Sequence, residues 1–168
     1  MWFEREKMDT VKKFLNNFEE IIVVPLVSVM AAVIILQVFF RYVLRESLSW
    51  SEELARYLMV WVTFVGASIG VKRGAHVGVE MLVTALPKKI QTVVRYLGIV
   101  ISIIFCIVVF SASLGILQRQ IVNHQVSPAM RIPMWWAYAA VPAGSFLMTV
   151  RFIQILFKTR ALNAKAGD

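Results

Sequence analysis

Four apolar stretches, at residues 21–40, 54–71, 96–117 and 134–157, constrain this chain more than any other feature. Crossing about 30 Å of hydrocarbon as a helix takes roughly 20 apolar residues, because every backbone N–H and C=O must be satisfied within the segment. The four stretches therefore predict an all-α integral membrane protein with four transmembrane helices. Of the 168 residues 59% are hydrophobic, and a mean hydropathy of +0.71 is too apolar for a water-facing surface. The longest remaining piece, 72–95, is too short for an independent domain, so residues 1–168 read as one membrane domain. The first stretch exceeds a signal-peptide core and no small-x-small cleavage pattern follows Phe40, so it is expected to stay as a span.

The net charge of +8 records orientation and no nucleic-acid partner, because the basic residues lie between apolar runs and not along one face. Arg5, Lys7, Lys12 and Lys13, then Lys72, Arg73, Lys88, Lys89 and Arg95, then Arg151, Lys158, Arg160 and Lys165 fall on one side of a four-span chain, with every lysine among them. Arg41, Arg45, Arg56, Arg119 and Arg131 fall on the other. The positive-inside bias predicts both termini in the cytoplasm and two short outward loops near 41–53 and 118–133. Lys72, Arg73, Lys88 and Lys89 are then expected at the inner headgroups. Residues 1–20 repeat Met8, Val11, Phe14 or Leu15, and Phe18 at helical steps beside lysines, behind Trp2 and Phe3. That pattern reads as an amphipathic interfacial helix, or alternatively as a solvated helical extension of span one.

Chemistry has few residues to rest on. The single Cys106 excludes an intrachain disulfide and a cysteine metal cluster. A proton-coupled exporter of the small multidrug type needs a carboxylate near mid-bilayer, and the central turns of the four stretches carry none. His76 and His124 fall in connections on opposite sides, which disfavours haem ligation. No phosphate loop, His-Glu-x-x-His or nucleophile elbow is present, so no enzyme and no cofactor is expected.

What remains sits around span two. Ser49-Trp50-Ser51-Glu52 has capping-box spacing. Glu52 and Glu53 each lie within helical reach of Arg56, giving either a local ion pair or, with Arg41 across the short loop, a cluster of Arg41, Glu52, Glu53 and Arg56 fixing the outer end. Gly66, Gly70, Gly74 and Gly78 recur every four residues, a small-xxx-small stripe that permits close helix packing. The neighbour is another span or a different subunit, and beyond span two a turn explains Gly74 and Gly78 equally well. Trp50, Trp135 and Trp136 belong to the outer aromatic belt. Pro142 with Gly144 predicts a kink in span four.

Phe40-Arg41-Tyr42, Trp50-Ser51-Glu52-Glu53-Leu54-Ala55-Arg56-Tyr57, Trp61, Phe64-Val65-Gly66-Ala67 and Arg73-Gly74-Ala75-His76-Val77-Gly78-Val79-Glu80 resemble the small, DctQ-type membrane subunit of TRAP transporters. Ile132-Pro133-Met134-Trp135, Val141-Pro142-Ala143-Gly144 and Arg151 resemble its last span; Glu80 stands where aspartate is commoner. The resemblance implies a bacterial inner-membrane importer in which a periplasmic binding protein delivers an organic acid, such as a sialic acid or a C4-dicarboxylate. A large elevator-type subunit moves that acid with sodium, and the small subunit extends the fixed scaffold. On that reading Gly66, Gly70 and Gly74 pack on a helical neighbour, while Arg45, Arg119 and Arg131 help dock the binding protein. The alternatives are a homo-oligomeric transporter with its path between copies, for which Gln37, Thr63, Ser68, Ser102 and Ser113 are few and scattered, and the membrane anchor of a redox complex.

Overall fold

A computed structural model describes the backbone of residues 2–73 and 87–165, and the side chains of residues 17–73, 87 and 90–160. Helix α1 is Trp2–Phe39, followed by a π-helical turn, Phe40–Leu44. Then come α2, Ser49–Lys72; α3, Lys88–Val122; a single turn, Trp135–Tyr138; and α4, Ala140–Lys165. Among the described residues there is no strand, only one isolated bridge between Val126 and Pro133. Four helical segments are long and apolar enough to cross a membrane: Asn17–Leu44, Ser49–Lys72, Ile90–Val122 and Trp135–Arg160. They contain the first three expected stretches and all but Met134 of the fourth, and they overrun them.

The overruns have local causes. No glycine or proline interrupts residues 2–20, so α1 passes residue 20 without a break instead of ending an interfacial helix there. The first loop is shorter than expected, because the π-helical turn continues the chain to Leu44. Arg45 closes that turn in the left-handed conformation at φ 57°, donating its N–H to the Phe40 carbonyl. The kink expected at Pro142 is displaced. The proline ring crowds the carbonyl four residues back, on Tyr138, and the helix is interrupted at Ala139, between the single turn and α4. Helical bonding resumes with Ala143 N–H on the Ala139 carbonyl, at 3.1 Å.

The four spans form a row and not a closed bundle. α1 packs on α2, α2 on α4, and α4 on α3, whereas among the described residues no Cα of α1 comes within 8 Å of one in α3 or α4. The covered positions recur by sevens, as in a coiled-coil seam. On α1 and the π-helical turn after it they include Glu19, Val23, Leu26, Met30, Val33, Gln37 and Phe40. On α2 they include Ser51, Leu58 and Val65, and on α3 Ile99, Cys106 and Ser113. Within the row α4 is central and α1 peripheral: 33% of the fourth span's most apolar stretch is buried, against 0% of the first. A small apolar core of Val71, Cys106 and Phe152, backed by Ile103, Met148 and Ile155, joins α2, α3 and α4.

Close packing rests on a glycine outside the stripe. A Cβ at Gly144 would lie 2.5 Å from Phe64 Cβ and 2.7 Å from its carbonyl carbon, so α4 touches the α2 backbone there. A Cβ at Gly66 would meet nothing within 4 Å. Gly66 therefore makes no close helix contact among the described residues, unlike Gly144. Gly74 and Gly78 lie outside the described residues.

Candidate functional site

The up-and-down path of the helices brings the 45–48 and 123–134 connections to one end of the row, here the loop end. The described part of the N-terminal segment, the end of α2 and Arg151 lie toward the other, the terminal end. Each end holds a pair of adjacent glutamates, and residues one apart on a helix point about 100° apart. One member of each pair is therefore buried and the other faces outward.

At the terminal end Glu19 is 1% exposed and Arg151 7%. Arg151 grips the carboxylate with two groups. Its Nε donates to Oε1 at 3.0 Å and Oε2 at 3.2 Å, and Nη2 to Oε2 at 2.9 Å. Nη1 donates to Gln154 Oε1 at 2.9 Å, so the guanidinium plane is fixed from its own helix. This pair spans 132 positions of sequence and joins two helices that have no close backbone contact. Next to it Glu20 Oε1 accepts from Lys72 Nζ at 3.4 Å and Arg73 Nη2 at 3.1 Å, and Lys72 also donates to Asn17 at 3.0 Å. Thus α1 is tied to both α2 and α4 at this end. Lys72 and Arg73 were expected only at headgroups. Lys88 and Lys89 have no described side chains.

At the loop end Glu53 is 8% exposed and pairs with no cation among the described residues. Its Oε1 accepts the Tyr57 hydroxyl, and its Oε2 accepts the backbone N–H groups of Ala129 at 2.8 Å and Met130 at 3.1 Å. Those amides form the tip of the 123–134 connection. That connection is further fixed by Ser127 N–H on the Ile132 carbonyl at 2.9 Å and Met134 N–H on the Gln125 carbonyl at 2.8 Å. Glu52 turns the other way. Its Oε1 accepts from Gln37 Nε2 at 3.1 Å and lies 4.0 Å from Arg41 Nη1, with both charged partners largely exposed.

The expected cluster of Arg41, Glu52, Glu53 and Arg56 is therefore split. Arg41 and Glu52 join α1 to α2, Glu53 holds the loop, and Arg56 makes no ion pair among the described residues, because both carboxylates turn toward other partners. The capping box also fails to form. Leu48 occupies the N-cap position with no side-chain cap bond, and Ser51 Oγ donates to the Leu48 carbonyl at 2.7 Å. Beginning at Ser49 places Glu52 in the first turn, where a negative charge suits the helix dipole.

A groove of about 600 Å³ lies between α2 and the start of α4, beneath the loop. Ser49, Glu52, Arg56 and Val60 line one wall, Ala137 and Val141 the other, and Pro128 and Ala129 the rim. Trp50, Trp135 and Trp136 are partly exposed around this end. Trp136 is also structural: its carbonyl accepts Trp61 Nε1 at 3.2 Å, and the two rings stand 5.5 Å apart. Arg45, Arg119 and Arg131 share the loop end; Arg131 has φ 53° and donates its N–H to the Ser127 carbonyl at 3.1 Å.

Sequence reasoning gave no tie to Glu19, and it named Gln37, Tyr57 and Gly144 without their contacts: Gln37 as a scattered polar residue, Tyr57 within a motif and Gly144 in a kink. The signal for Glu19 was Arg151 itself, a cation inside the fourth apolar run, which calls for a partner at that depth.

Comparison with known proteins gives a consistent set. The family model described as "Tripartite ATP-independent periplasmic transporters, DctQ component" matches residues 30–161. The chain is 30% identical to the sialic acid TRAP transporter small permease protein SiaQ of Vibrio cholerae, over 93% of this chain and 89% of that protein. It is 32% identical to the C4-dicarboxylate TRAP transporter small permease protein DctQ of Rhodobacter capsulatus, over 66% of this chain and 49% of that protein. It is also 32% identical to the sialic acid TRAP transporter permease protein SiaT of Haemophilus influenzae, over 92% of this chain but only 24% of that protein.

Proposed function

The chain belongs to the DctQ-component family of tripartite ATP-independent periplasmic transporters, a non-enzymatic family of multi-pass membrane proteins, and from that membership we propose that it is the static scaffold of a sodium-coupled importer of an organic acid. Its partners are a large elevator-type membrane subunit and a periplasmic binding protein. The membrane is the bacterial inner membrane, with both termini in the cytoplasm, as the basic residues at the terminal end favour. There the start of α1 rests against the inner headgroups, with Lys72 and Arg73 at the same level.

The observation that carries this reading is the open row tied at both ends. A substrate path needs polar groups lining an enclosed space, whereas here the polar side chains near the ends join helices and a loop to one another. The row leaves broad apolar faces, and the Gly66 side of α2 is open to a second protein. In SiaT a segment similar to this chain occupies about a quarter of a larger permease polypeptide, which supports a large subunit as the neighbour. The named relatives handle sialic acid and C4-dicarboxylates, and a carboxylate is accordingly the substrate class proposed here. The loop held by Glu53, with Arg119 and Arg131 nearby, offers the binding protein a fixed surface.

Vesicles containing the large subunit with and without this chain test the reading. Sodium-driven uptake should require both, and uptake by the large subunit alone at the same rate would refute an obligatory scaffold. Gly66→Leu should abolish co-purification while leaving the chain's own melting unchanged.

A further inference from the structure

The groove at the loop end is graded in polarity along the direction of the helices. Ser49, Glu52 and Arg56 stand in the first turns of α2, at the level of the exposed Trp50, while Val60 and Val141 lie deeper in their spans. A peptide crossing the groove sideways would gain nothing from that gradient. A molecule with a polar head above an apolar tail fits it.

The charges narrow the head. Glu53 is fully used by Tyr57 and the loop amides. Glu52 gives Oε1 to Gln37 and Arg41, and no bond is made to its Oε2 among the described residues. Arg56 is exposed and makes no ion pair there. Arg56 and Glu52 both line the groove, so its polar end carries a guanidinium fork and a carboxylate that do not pair with each other. This suits a zwitterion whose phosphate meets the arginine and whose ammonium meets the glutamate.

We propose that this groove binds a zwitterionic glycerophospholipid of the phosphoethanolamine class, drawn from the leaflet at the loop end, with its upper acyl chains along Val60 and Val141. The volume of about 600 Å³ falls within the roughly 300–1,000 Å³ usual for small-molecule sites. The proposal rests on this chain's own residues and stands whether or not the scaffold reading holds.

The test uses the full chain, purified with any partner that stays bound, after reconstitution in equal parts of phosphatidylethanolamine and phosphatidylglycerol. Retained lipid is measured by native mass spectrometry. Phosphatidylethanolamine should be retained in preference to phosphatidylglycerol and to added diacylglycerol. Arg56→Gln should lower its retention about tenfold, the loss of one charge-assisted contact. Val60→Trp should displace the lipid by filling the deep end, with melting temperature unchanged. Arg119→Gln, at the same end but outside the groove, should leave retention as it is. Equal retention of the three lipids, or wild-type retention in both groove variants, would overturn the proposal. So would a photocrosslinker at Val60 that captures only polypeptide.

Discussion

Among the described residues Glu19 and Glu53 are the two buried carboxylates, at opposite ends of the row, and they are stabilised by different means. Glu19 meets a charged guanidinium on another helix. Glu53 meets a hydroxyl and two backbone N–H groups, all neutral. The terminal-end arrangement fixes helix against helix, with strong attraction and a heavy penalty if one partner is lost. The loop-end arrangement fixes the conformation of a connection by giving its otherwise unpaired amides an acceptor. A carboxylate thus serves as a helix tie or as a loop organiser according to what the neighbouring element presents.

Several substitutions sharpen this contrast. The largest effect is expected from Arg151→Met, which strands Glu19 in a buried setting and should cost about 3–5 kcal/mol. The corresponding measurement is thermal melting of the purified chain. Adding Glu19→Leu should recover much of the loss, and a double variant no better than the single would mean that the pair is not the source. Gly144→Leu comes next, at about 1–3 kcal/mol by overpacking against Phe64, whereas Gly66→Ala should leave melting unaltered. Glu53→Ala should release the loop more than the helices. Amide exchange at Ala129 and Met130 should speed up by about an order of magnitude while α1 and α2 keep their protection; uniform acceleration would make Glu53 a helix tie as well. The smallest effect belongs to Arg41→Gln, within about 0.5 kcal/mol, because that pair is long and exposed.

The four spans were legible because lipid imposes a length and a composition that a sequence displays directly. The family was legible in the contiguous motifs around span two. The ties were not, for identifiable reasons. Glu19 lies in a stretch whose helical periodicity reads as a wet face, and its partner is 132 positions away. Spacing placed Glu52 and Glu53 within reach of Arg56, but reach does not decide between competing partners, and the loop amides and α1 took them. The glycine repeat marked α2 as a close-packing helix without saying which side its own chain occupies. The contact itself is made by Gly144, which was read as part of a kink.

The linear order α1, α2, α4, α3 has a geometrical consequence. A ring of helices is complete, but a row has two margins, and α1 and α3 each present one. Further helices can be added beside either margin without dismantling any existing seam, as strands are added to the edge of an open sheet. The chain is built to be continued sideways.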